Sequence, residues 1–92
     1  MNSRNYSSSQ LNRFTPHLEK LVSSARRLAA MISEENNYQV IERLIELINT
    51  YGYDWTEAAN KITAKLSGEN PARNVYYTQG ILKRWSEQGH MD

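Results

Sequence analysis

Apolar residues recur three and four positions apart through most of this chain, and the breaks in that rhythm divide it into four helical segments. Leu18, Leu21, Val22, Ala25, Leu28, Ala29 and Ile32 share one side of a helix predicted over 16–32. Thr15 is its expected N-cap and Pro16 its first-turn residue, where a missing N–H removes no helical bond. The stretch "SEENN" interrupts the pattern. A second helix follows over 38–51, with Tyr38, Val40, Ile41, Leu44, Ile45, Leu47, Ile48 and Tyr51 spread over half its circumference. So wide an apolar arc predicts a central helix with more than one neighbour, and Gly52 supplies the stop.

The third helix is predicted over 55–67. Asp54 stands as N-cap with Glu57 three residues on, a capping-box spacing, and Tyr53 before the cap can staple onto Ala58. Trp55, Ala58, Ala59, Ile62 and Leu66 form its expected apolar seam, closed by Gly68. "ENPARN" is a connector. Asn74 then caps a last helix over 75–88, which Gly89 ends. Residues 1–14, rich in Ser, Asn and Arg, read as a flexible polar arm ahead of a helical domain over 15–92. The expected fold is a compact all-α four-helix domain.

With 92 residues the chain holds one core. It has no cysteine, which excludes a disulfide framework and thiolate chemistry. No apolar run approaches the roughly 18 residues of a membrane span, and the N-terminus has no hydrophobic signal core. A cytoplasmic setting is the expectation. The formal net charge is +1, but its distribution is uneven. Residues 1–33 carry a net +4, residues 34–70 a net −4 and residues 71–92 a net +1. A basic surface set apart from an acidic middle is therefore expected if the chain ends meet.

No chemical constellation accompanies this layout. There is no nucleophile elbow, phosphate-binding glycine loop or metal-ligand cluster, and His17 and His90 stand far apart in the chain. No catalytic residue, metal ligand, cofactor, small-molecule substrate or membrane partner is expected. Glu42 and Glu46 share a helix face that reads as solvated and repels nucleic acid.

The last helix holds the remaining signal. On a helical wheel Val75, Thr78, Ile81, Leu82 and Trp85 fall on the apolar arc, with Tyr77 at its edge. Tyr76, Gly80 and Arg84 form a second, outward line with Lys83 beside it. Cationic side chains neutralise phosphates and tyrosines stack on unpaired bases, so Tyr76, Tyr77, Lys83, Arg84 and Arg73 around a bare glycine form a candidate nucleic-acid platform. Glycine inside a helix costs about 1 kcal/mol against alanine, and close approach of a phosphate or a second backbone is a reason to keep it.

The spacing Tyr77-x-x-x-Ile81-x-x-x-Trp85 within "NVYYTQGILKRWSEQG" resembles the YxxxIxxxW signature of DnaD-like domains. These are the C-terminal domains of the DnaD and DnaB primosomal proteins of low-GC Gram-positive bacteria and of related phage and plasmid replication proteins. Asn74 before Tyr77, the pair Ile81-Leu82, Lys83-Arg84 ahead of Trp85, and Gly89 follow the same pattern. "IERLIELINTYGYDWTEAANKI" is similar to the family's preceding helix pair. The likeness is good over 74–89, fair over 38–66 and poor before 38. The family's extended C-terminal tail and preceding winged-helix domain have no counterpart in this sequence, so an excised domain or a compact mobile-element version is expected.

The resemblance implies DNA binding, often of single strands, within a protein that loads the replicative helicase at initiation or restart. It also implies self-association and contact with other primosome or replication-initiation proteins. Tyr77, Lys83 and Arg84 are the expected DNA contacts, supported by Arg73 and Tyr76, with Ile81 and Trp85 holding the helix and the Trp85 rim within reach of ligand. Two alternatives stand beside this reading. One is a protein–protein or oligomerisation adaptor that docks a partner through the same helix, with Gly80 admitting close contact. The other is a helix-turn-helix reading duplex DNA, which the long connector between the last two helices disfavours.

Overall fold

The computed structural model describes residues 8–91, with side chains from residue 18 onward. Four helices follow in order: α1 Ser8–Met31, α2 Tyr38–Tyr51, α3 Tyr53–Ala64 and α4 Val75–Gln88, with no strand among the described residues. The all-α four-helix expectation holds. α2 and α4 have the predicted bounds, and α1 and α3 differ. Residues 1–7 of the expected arm lie outside the described residues, while 8–14 are helical. α1 therefore runs through Pro16 instead of starting there. Pro16 lacks one helical N–H, but its fixed φ is helical, so a helix already formed upstream can pass through it.

α1 ends in a left-handed reversal. Ser33 has φ 63°, the Glu34 N–H donates to the Ala29 carbonyl (2.8 Å) and the Ser33 N–H to the Ala30 carbonyl (3.1 Å). These are the two bonds of a Schellman cap, made with serine where glycine is usual. Asn37 caps α2, its side-chain oxygen accepting from the Gln39 and Val40 N–H groups. Gly52 alone joins α2 to α3. Its φ of 89° and ψ of 154° lie where side chains are strained, and an added Cβ there would meet nothing within 4 Å, so backbone conformation sets the requirement. Gly52 also takes the N-cap position expected of Asp54, which sits inside the first turn of α3 where its carboxylate complements the helix dipole. Tyr53 turns its hydroxyl to Glu57 (3.2 Å). α3 stops at Ala64, three residues short of its predicted end, and Ser67 and Asn70 organise the turns that follow.

The core joins Leu28 of α1 and Ile32 just beyond its end, Ile41 and Leu44 of α2, Ala59 of α3 and Ile81, Leu82 and Trp85 of α4. Trp55 meets Trp85 edge to face, with ring centroids 6.0 Å apart. On α1 and α2 two expected core positions lie outside. Leu18 of α1 is 55 % exposed. Tyr38, at the first position of α2, is 74 % exposed.

α3 differs most from its predicted seam. Its buried residues are Thr56, Ala59, Asn60 and Thr63, while Ile62 is 38 % exposed. This polar face is satisfied internally. Asn60 Nδ2 donates to the Leu28 carbonyl (2.8 Å) and lies 3.7 Å from Met31 Sδ, and Thr78 Oγ1 donates to Asn60 Oδ1 (3.0 Å). With its one proton so used, Thr78 must accept from Thr63 Oγ1, 2.7 Å away. Thr56 returns its hydroxyl to the Gly52 carbonyl (2.8 Å).

Truncating this chain should cost more than truncating a comparable surface bond, because each deletion strands a buried partner. Thr78→Val should lower unfolding free energy by about 1–3 kcal/mol in urea titrations with an unchanged slope. Thr63→Val combined with Thr78→Val should cost less than the sum of the single changes.

Candidate functional site: the outer face of α4

Asn74 sets where α4 begins and how its first turn is held. Its Oδ1 accepts from the Tyr76 N–H (2.9 Å) and the Tyr77 N–H (3.3 Å), and its Nδ2 donates to the Pro71 carbonyl (2.8 Å). At the other end Gly89 adopts a left-handed φ of 88° and its N–H returns to the Trp85 carbonyl. Between these caps, Val75, Thr78, Ile81, Leu82 and Trp85 are buried. The opposite side presents Tyr76, Tyr77, Gly80, Lys83 and Arg84 to solvent. Tyr76 is 65 % and Tyr77 40 % exposed. Tyr77 and Arg84, seven residues apart, lie on one side about 10 Å from each other along the axis.

Two residues of the predicted contact set are placed elsewhere. Trp85 is 2 % exposed, so neither its ring face nor its rim reaches a ligand, and its role is core packing with Ile81. Arg73 turns inward. Its Nη2 donates to the Met31 carbonyl (2.9 Å) and its Nε to the Ala64 carbonyl (3.4 Å). These carbonyls end α1 and α3, where helical partners run out and a cation complements the dipole. Arg73 is thus a bracket holding two helix C-termini at the entrance to α4.

The surroundings of the two tyrosines are unequal. Arg43 of α2 places its guanidinium 5.7 Å from the Tyr76 ring centroid and pairs with Glu46 (3.2 Å), an exposed bond of small energetic weight. Gln39, Glu42, Arg43, Glu46 and Tyr76 line one shallow depression. Its carboxylates repel phosphate on the Tyr76 side. Arg43 was missed in the sequence because nothing in its local pattern ties it to a residue 33 positions later. A Cβ added at Gly80 would meet nothing within 4 Å, so this glycine answers no packing need inside the fold.

Among the described residues no group of three or more His, Cys, Asp or Glu is placed to hold a metal ion, and no helix is long and apolar enough to cross a membrane. No protein-family model, curated protein or solved structure matches the chain. The DnaD-like resemblance therefore rests on the residues of the chain alone.

Arg73→Ala should lower stability by about 1–2 kcal/mol, because two helix ends lose a charged donor at a partly exposed site. The salt dependence of any DNA binding should stay the same, since this cation does not face outward. Gly80→Ala should raise stability by about 1 kcal/mol in thermal or urea unfolding, as expected for an open helix-interior position.

Proposed function

We propose that this chain is a DNA-binding domain that takes single-stranded DNA, of a cytoplasmic DNA replication initiation, restart or primosome protein that acts in helicase loading, including phage-, plasmid- or mobile-element-encoded versions. The supporting observation is the division of α4. Ile81 and Trp85 anchor the helix in the core while Tyr77, Lys83 and Arg84 stand on its exposed face around Gly80. An aromatic ring for stacking beside cations for phosphates is the pairing that single-strand binding requires. The DnaD-like pattern on the same helix points to the same chemistry. Tyr77 is the preferred stacking residue, because Tyr76 already lies under Arg43 and beside Glu42 and Glu46.

The adaptor reading has its own support in that acidic border, which would suit a basic partner protein better than a phosphate backbone. The helix-turn-helix reading is weakened by the connector, since ten residues separate Ala64 from Val75.

Fluorescence anisotropy with a labelled single-stranded oligonucleotide tests the proposal. Binding should weaken steeply with salt. Tyr77→Ala should cost about 1–3 kcal/mol of affinity with the fold intact. Trp85→Ala should instead cost about 3–5 kcal/mol of stability. Replacing Lys83 and Arg84 together by Gln should reduce the salt slope by roughly one to two. A flat signal at low salt up to high micromolar protein would remove DNA from the reading, and preference for a duplex competitor would favour the helix-turn-helix mode.

A further inference from the structure

α3 gives its buried face to Thr56, Asn60 and Thr63 and leaves Ile62 exposed, so this apolar side chain serves no packing need of the core. Its place follows from the bond between Thr63 and Thr78. α3 and α4 run antiparallel, because Trp55 and Thr63 of the first meet Trp85 and Thr78 of the second in reverse order. In an antiparallel pair the residues just before two facing partners turn to the same side of the interface, nearly level along the axes. Ile62 and Tyr77 hold those two places. Both are exposed, so they share the outer side of the α3–α4 groove.

Charge follows the same side. Lys61 and Lys65 are exposed and flank Ile62, one residue before it and three after. The carboxylates of α3 lie elsewhere. Glu57 receives the Tyr53 hydroxyl on the side toward α1, where Arg27 meets the same hydroxyl. Asp54 is in the first turn, about 10 Å of helix before Lys61. The opposite border of α4 is acidic, with Glu42 and Glu46 of α2 beside Tyr76. Toward α3, then, Tyr77 has an apolar neighbour and two cations; toward α2 lie carboxylates.

We propose that the bound strand crosses α4 toward α3, a base stacked on Tyr77 resting against Ile62 while the adjoining phosphates pair with Lys61 and Lys65. This rests on the strand-binding reading of α4 and adds to it a second helix and a direction. A ring beside an aliphatic side chain accepts any base, so the path is tolerant of sequence. The Glu42–Glu46 border closes the other route, because phosphates there meet like charge.

Anisotropy titrations of the full chain with a labelled single-stranded oligothymidylate, repeated across salt concentrations, test this. K61Q/K65Q should weaken binding about tenfold at low salt and lower the salt slope by roughly one to two. The charge-matched control K20Q/R26Q, on α1, should leave the slope unchanged. Ile62→Ser should weaken binding about threefold with no change of slope. All five side chains are exposed, and circular dichroism should show unchanged helicity in each variant. A benzophenone side chain placed at Ile62 should crosslink to the strand on irradiation, and one placed at Glu42 should not. A K61Q/K65Q slope equal to wild type, an equal fall of slope in K20Q/R26Q, or stronger crosslinking from position 42 overturns this path and leaves the α4 face standing. Wild-type protein that binds no oligonucleotide overturns both.

Discussion

The one-way hydrogen-bond chain from Thr63 through Thr78 and Asn60 to the Leu28 carbonyl ties three helices together at one point. All three side chains are fully buried, so each polar atom depends on the next for the bonding it gave up in water. Apolar contacts around them tolerate small slides and rotations. This chain does not, because a shift of α4 by one turn would separate Thr78 from both partners. The Asn60 amide is fixed in orientation as well, since reversing it would set its oxygen against the Leu28 carbonyl. The seam contributes less to net stability than to selecting one register among several that the apolar residues would accept.

That register decides what the outer surface of α4 displays. With Thr78 held against α3, Ile81, Leu82 and Trp85 turn into the core and the Tyr76–Gly80–Arg84 line must point away from it. Arg73 reinforces the arrangement from the other direction by joining the ends of α1 and α3 just before Asn74 caps α4. The exposed face is thus presented on a helix fixed at both caps and along its length. A rigid presentation suits recognition of a strand, because little side-chain and backbone freedom remains to be lost on binding.

How much of this was legible in the sequence depended on which residues carried the signal. α2 and α4 were readable because strong apolar periodicity and unambiguous terminal residues agreed. The inward placement of Ile81 and Trp85 and the border position of Tyr77 followed from the same wheel. α3 misled because its buried stripe is Thr56, Ala59, Asn60 and Thr63, and short polar side chains look outward until their partners are known. The partners of Asn60 and Thr63 lie on α1 and α4, at separations of 15 to 32 residues, and no local pattern announces them. Arg73 failed for the same reason: a basic residue in a connector reads as a surface charge until two helix ends converge on it. α1 failed at Thr15-Pro16, where a good starting signal competed with an apolar period that continued through it.

The charge pattern shows the opposite case, in which a sequence feature gained meaning from the fold without changing. Residues 1–33 and 34–70 are opposite in net charge, and helix packing is free to mix such segments. The α1–α2 hairpin keeps them apart instead, with Lys20 and Arg27 along α1 and Glu34, Glu35 and Glu42 around the reversal and the first turns of α2. The buried seam has no part in this separation, yet it orients α4 so that Lys83 and Arg84 face solvent. The acidic end of the hairpin and the exposed face of α4 meet at Tyr76, which shares one depression with Glu42 and Glu46, so the charge division of the sequence sets carboxylates along one border of the aromatic and cationic helix face.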